Sequence, residues 1–378
     1  MTPAELQHSR QWSNQDVAEW TGADYHLSPR TRQKLADSVP DETRRAYERW
    51  WHAAADWCTQ TGRVPLPMHT NTLTEWTREL TDTISDRTGK LYAATSLTQA
   101  VAAVRSIHTL AGFDGMPGTT EARKLIKAHG KQLADSGRRT RQSAVLDRVE
   151  QWFDVLALPE CDPSTLVGLR NRVLVVYSLN IWTRRSELGR LTLPNVREGV
   201  DDFEEVQDDG TMTVVTRPYI DVFFPSSKTD QEGAGATTTA VGRDDALCIV
   251  TVTRAWRAAL AERGITEGRF LRSVDQWGNI GDSISGDGIN RITKDLVGKA
   301  GYLVDRNGMT FTAHGWRASG YSVAQQANAT DGELRAGGRW SEKSQAAKGY
   351  GRSRDNRGAA MRRIKPPKAA DTETETTA

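Results

Sequence analysis

The spacing of apolar residues changes twice along this 378-residue chain, and that change constrains the fold more than any other feature. From Asp41 the pattern is helical. Tyr47, Trp50, Trp51, Ala54, Trp57 and Cys58 recur at three- and four-residue steps, and Gly62 stops the helix. Leu73 to Ile84 and Ala93 to Leu110 predict two more apolar-striped helices. A break at Gly112-Phe113-Asp114-Gly115-Met116-Pro117-Gly118 precedes a basic helix over Thr119 to Leu133. The first third is therefore expected to be a small all-helical bundle. Val145 to Leu156 and Leu166 to Ile181 are again helical, but beyond Pro194 the period shifts towards two. Strands are expected at Thr211 to Thr216, Tyr219 to Phe224 and Thr237 to Val241, with turns at Asp209-Gly210 and around Ser226 to Gly235. Helices return at Ala246 to Arg263, Gly288 to Ala300, His314 to Ala327 and near Ala346. The expected class is mainly α with a small antiparallel β-sheet, an all-helical domain followed by an α+β domain.

The same reading gives boundaries. Residues 1–28 lack sustained periodicity and are expected to form a flexible arm; 29–136 form the helical domain and 137–365 the second. The best linker is Gly137-Arg138-Arg139-Thr140-Arg141, polar and basic between two helical runs. Residues 366–378 have the low-complexity composition of a disordered tail. The mean hydropathy is −0.59, and no stretch approaches the ~20 apolar residues of a membrane span. The first residues lack the basic-then-apolar order of a signal peptide. Cys58, Cys161 and Cys248 are far apart, which argues against a disulfide framework or a structural zinc site. A cytoplasmic protein is expected, not a secreted or membrane one.

Fifty Lys and Arg nearly cancel 48 Asp and Glu, yet the charge is segregated. Between Arg123 and Arg148 lie eight bases and two acids, Asp135 and Asp147; between Arg352 and Lys365 lie six bases against Asp355. Local basic patches of this kind point to a nucleic-acid partner, although a solvated face has the same composition.

Several motifs are excluded. No P-loop sequence is present, and Gly233-Ala234-Gly235 and Gly286-Asp287-Gly288 each lack the third glycine and preceding strand of a dinucleotide fingerprint. Asp201 to Asp209 holds six acids without the alternate spacing of a calcium loop, and reads as a solvated turn. His314 is the only histidine after His129, which excludes a His-rich metal site in the second domain.

Four segments remain: Thr183-Arg184-Arg185-Ser186-Glu187-Leu188; Phe223-Phe224-Pro225-Ser226-Ser227-Lys228-Thr229; His314-Gly315-Trp316-Arg317; and Gly338-Arg339-Trp340 followed by Lys348-Gly349-Tyr350. Singly, each has a plain reading: a surface arginine, a turn lysine, a helix cap, a half-buried tyrosine. Together, in this order and spacing, they resemble the tyrosine recombinase (lambda integrase) family, and within it the Cre-like site-specific recombinases. Thr43 to Cys58, Arg105 to Gly112, the linker Asp135 to Ala144 and Arg354 to Met361 share the resemblance, which covers about residues 37–365. Arg317 to Trp340 is 23 positions, as in the family; Trp340 to Tyr350 is 10, one more than usual, and the extra residue must be absorbed within Ser341 to Lys348.

The resemblance implies a core-binding domain and a catalytic domain that close as a C-shaped clamp on double-stranded DNA. It implies a site-specific DNA recombinase, a strand transferase of mobile elements. Such an enzyme acts as a homotetramer on two target sites with inverted repeats, exchanging the helix Asn356 to Ile364 between neighbours. Tyr350 is the implied nucleophile, because a phosphotyrosyl ester conserves the energy of the broken phosphodiester. Tyr321 is the nearest rival, four residues after Arg317 on the same helix. Arg184 and Arg317 are suited to grip the non-bridging oxygens, since guanidinium forks do not lose their protons. Trp340 is expected to donate its indole N–H to one of these oxygens, Lys228 to protonate the leaving 5′ oxygen, and His314 to assist the tyrosine or hold an oxygen. Glu187 is expected to orient the cluster. Gly288 to Ala300 would read the major groove with a helix of the first domain. No metal, nucleotide or other cofactor is implied. A type IB topoisomerase or telomere resolvase shares the same residue set, and a catalytically silent DNA-binding protein could keep the fold.

Overall fold

A computed structural model of the chain describes residues 28–37, 39–138, 143–206, 210–225, 235–341 and 344. It is mainly helical with small antiparallel sheets, and it divides into two compact units, Met1–Thr140 and Arg141–Ala378. No helix among the described residues is long and apolar enough to cross a membrane.

The first unit contains α1 (Pro29–Asp37), α2 (Asp41–Gln60), α3 (Thr70–Asp82), α4 (Ala94–Leu110) and α5 (Thr120–Asp135). In α2, Trp50, Ala54 and Cys58 lie four residues apart and so share one buried face. They meet Leu73 and Trp76 of α3, Leu97 and Val104 of α4, and Ala122 and Ile126 of α5. Each large side chain so buried contributes about 1.5–3 kcal/mol. His108, wholly buried on α4, accepts the Met68 N–H at Nε2 (2.7 Å). Its Nδ1 must then carry the proton and donate to the Val104 carbonyl (2.7 Å).

This unit is not all-helical, contrary to expectation. The helix predicted to reach Ile84 stops at Asp82, and β1 (Ile84–Ser85) pairs with β2 (Lys90–Leu91). Thr83 and Ile84 are β-branched, and Gly89, at φ 60°, supplies the tight return.

The second unit is built around α7 (Leu166–Asn180), in which Val173 to Tyr177 are all fully buried. Round it lie α6 (Val149–Leu156), α8 (Arg185–Arg190), α9 (Ile249–Ala261), α10 (Gly286–Lys299), α11 (Ala313–Gln326) and α12 (Asp331–Gly338). Helix α6 starts four residues later than its apolar pattern suggests. The preceding residues are bonded instead to distant partners, Ala144 N–H to the Thr310 carbonyl and Leu146 N–H to Ser319 Oγ.

A three-stranded antiparallel sheet has the order β3 (Val196–Val206), β4 (Met212–Phe224), β5 (Ala236–Val241). Two expectations change here. The acidic run read as a solvated turn is largely strand, from Asp201 to Val206. Its charge is met across the ladder: Arg217 pairs with Glu205 (2.9 Å), and Thr216 Oγ1 donates to Asp202 (2.6 Å). The two strands expected on either side of Pro218 are one. Pro218 turns its missing N–H to the side where β5 has already ended, at Val241 opposite Tyr219, so no ladder bond is lost.

Candidate active site

Helix α7 ends at Asn180, and the chain then passes through Trp182 at φ 44°, a left-handed position that usually takes glycine. The indole of Trp182 holds this backbone in place. A Cβ on Gly320 of α11 would overlap its Nε1, and one on Gly337 of α12 would lie 3.0 Å from the ring. Helix α12 also ends in a left-handed residue, Arg339, at φ 52°. Two helix C-termini, each with unsatisfied carbonyls and negative partial charge, thus face the same region.

Arg317 lies between them. It is fully buried on α11, donating through Nη1 to the Trp182 carbonyl (2.6 Å) and through Nη2 to the Gly338 carbonyl. The Trp340 ring covers its face, 4.5 Å from the guanidinium. Trp340 in turn meets Trp182 and Tyr321 in a small aromatic cluster completed by Leu334. Burial, with Asp331 nearby, raises the phenol of Tyr321 above its ordinary pKa.

Arg184 precedes α8, its side chain 20 % exposed. Glu187, one turn on and 1 % exposed, accepts the Arg184 backbone N–H (2.9 Å) and the Arg184 guanidinium, and also Arg339 Nη2 (2.7 Å). Burial alone would raise the Glu187 pKa. The Arg339 charge and the bonds from Arg184 outweigh it and hold the carboxyl below its ordinary range. Arg339 also donates to the Ile181 carbonyl (2.8 Å) and lies 4.1 Å from the Phe224 ring centroid.

Four of the five described site residues therefore form one connected cluster at the end of α7: Arg184 with Glu187, and Arg317 with Trp340, joined by Arg339 and the Ile181, Trp182 and Gly338 carbonyls. His314 stands in the first turn of α11 with its side chain exposed. Lys228 and Tyr350 lie outside the described residues, as do the helices expected near Ala346 and over Asn356 to Ile364. Sequence reasoning did not assign Arg339 or Trp182 a role. The one available signal for Arg339 was its place beside Trp340, since its carboxylate partner lies far away in the chain.

No family model matches the chain. An integrase/recombinase, a XerD homolog from Selenomonas ruminantium, is 23% identical over 279 residues, covering 73% of this chain and 72% of that protein. The resemblance to the tyrosine recombinase family stands. A solved structure, the integrase from mycobacterium phage Brujita, aligns over 85% of this chain and 90% of its own at 14% identity, with a TM-score of 0.31. In this chain the cluster places three arginines and a carboxylate at the end of one buried helix.

Proposed function

We propose that the chain is a site-specific DNA recombinase that cleaves and rejoins DNA through a 3′-phosphotyrosyl intermediate, in a tetrameric synapse of two inverted-repeat sites. The observation that carries this reading is the gathering of Arg184, Glu187, Arg317 and Trp340, remote from one another in sequence, at the end of α7. Such a group of fixed cations suits a reaction whose transition state concentrates negative charge on phosphate oxygens.

In this reading the Tyr350 oxygen attacks phosphorus in line, with His314 helping to take its proton. The phosphorus–5′ oxygen bond breaks as the phosphotyrosyl bond forms, and Lys228 protonates the departing oxygen. A 5′ hydroxyl from the partner strand then reverses the step and releases the tyrosine. Arg184 and Arg317 hold the non-bridging oxygens, and the Trp340 N–H assists. Arg317 is fully buried, so this role requires its cover to open when DNA binds.

Residues 29–136 act as the core-binding domain and 137–365 as the catalytic domain, closing as a clamp round the duplex. Arg123, Lys124, Lys127 and Lys131 are exposed on α5 and suited to phosphate contact, which makes affinity fall with salt. Helix α10 reads base edges in the major groove.

A nicked suicide substrate tests the chemistry. The native chain is expected to form a covalent adduct with the 3′ phosphate. Tyr350→Phe loses the adduct and keeps specific binding, whereas Tyr321→Phe keeps both. A native chain that binds its site without forming an adduct is instead a silent DNA-binding protein, a reading favoured by the ten-residue step from Trp340 to Tyr350. Relaxation of a plasmid lacking any target site would indicate a topoisomerase.

A further inference from the structure

Arg339 has no role in the chemistry above, yet it links the Glu187 carboxylate to a carbonyl beyond α7 and to β4 and β5. Its side chain is 8 % exposed. Nη2 donates to Glu187 Oε2 at 2.7 Å; Nη1 donates to the Ile181 carbonyl at 2.8 Å and to Thr238 Oγ1 at 3.3 Å. The guanidinium face lies 4.1 Å from the Phe224 centroid. Phe224 is the last residue of β4 and Thr238 belongs to β5, so these contacts grasp both stems of the connection whose sequence includes Lys228.

Glu187 divides its two oxygens. Oε1 holds the Arg184 guanidinium; Oε2 holds Arg339 and the Arg184 backbone N–H. Arg339 thus fixes one side of the carboxylate whose other side aims Arg184. A guanidinium does this better than an ammonium would, because its planar fork serves carboxylate, carbonyl and hydroxyl at once while its face stacks on a ring. The left-handed backbone at Arg339 is a sparsely populated conformation for a non-glycine residue, kept by these several anchors.

We propose that Arg339 is a positioning residue: it ties the carboxylate that orients Arg184 to the end of β4 at Phe224 and to Thr238 of β5, so that the Arg184 guanidinium is presented in a fixed direction. This rests on the reading of Arg184 as a phosphate-directed group given above.

The test uses the full chain with Arg339→Gln and Arg339→Lys. Single-turnover cleavage of a suicide substrate is measured at saturating protein across pH, beside DNA affinity and the 15N signal of the Arg184 side chain, assigned with Arg184→Lys. For Arg339→Gln the expected result is unchanged affinity, cleavage of bound DNA slower by about 10–100-fold, and a shifted Arg184 signal. The deficit deepens towards acid, because Glu187 loses the charge that keeps it ionised. Arg339→Lys restores the pH profile and part of the rate. Cleavage by folded Arg339→Gln at the native rate and pH profile, or an unmoved Arg184 signal, overturns the proposal. The Arg184 signal needs no turnover. A native chain that forms no adduct would therefore sink the recombinase reading, while this measurement still decides whether Arg339 positions Arg184.

Discussion

Glu187→Ala removes the only carboxylate that the described residues bring into the cluster, and the structure sets the expected cost. The side chain is 1 % exposed and accepts from the Arg184 backbone, the Arg184 guanidinium and Arg339. Truncation leaves Arg339, 8 % exposed, without its anionic partner in a dry site. Breaking a buried ion pair in this way costs about 3–5 kcal/mol. Arg184 keeps access to water, so the lower end, about 3 kcal/mol, is expected here. For a unit of this size each kcal/mol lowers Tm by about 2–4 °C, which gives a fall of about 6–12 °C in the unfolding transition of the second unit. Calorimetry of the full chain reads this, because two units can unfold in separate steps. The pH dependence adds an independent check. The folded carboxyl titrates below its ordinary value of 4.5, so its stabilisation is complete above the unfolded pKa and disappears as pH falls through the folded one. The alanine variant lacks that dependence, and the gap between the two proteins must narrow on acidification below the ordinary carboxylate range. A loss under about 1 kcal/mol near neutral pH, or a gap that stays constant into acid, would refute the account of a buried carboxylate held ionised by two arginines.

Lys228→Ala is expected to slow strand cleavage, and a substrate with a 5′-bridging sulfur, whose leaving group needs no proton, is expected to restore it; an unrescued variant takes Lys228 out of the acid role. Gly320→Ala forces a methyl group into the Trp182 indole and should cost about 1–3 kcal/mol, read by urea unfolding. A neutral result would show that Trp182 is not held as described.

Most of the longer helices were legible from their apolar residues, whereas the short α1, α8 and α12 were not expected. The expected span over Leu166 to Ile181 matches α7 to within one residue, and Gly288 to Ala300 overlaps almost all of α10. Apart from the local β1–β2 hairpin, what was misread depended on partners further along the chain. Asp201 to Glu205 looks like solvent-exposed turn sequence until Arg217 and Thr216 stand opposite, and Pro218 looks like a break until β5 is seen to stop beside it. The site shows the same division. Arg184 and Glu187 are one helical turn apart, and Glu187 was expected to orient the cluster. The pair Glu187–Arg339 spans 152 positions and has no local signature.

Three arginines in one small region ought to repel, and the way the fold tolerates them explains why the cluster lies where it does. One carboxylate answers only part of the charge. The rest is met by groups that carry no formal charge: the Ile181 and Trp182 carbonyls beyond α7, the Gly338 carbonyl ending α12, and the faces of Trp340 and Phe224. Carbonyls at helix C-termini lack intrahelical donors and carry partial negative charge, so they stabilise buried guanidiniums without adding a second acid. A second carboxylate would stabilise the arginines more strongly, but it would also compete for them with any incoming phosphate. Among the described residues, neutral dipoles and ring faces leave the cluster's net charge positive, with three guanidiniums against one carboxylate. That balance favours a polyanion at this surface, and it accounts for a site held together chiefly by main-chain carbonyls and aromatic rings.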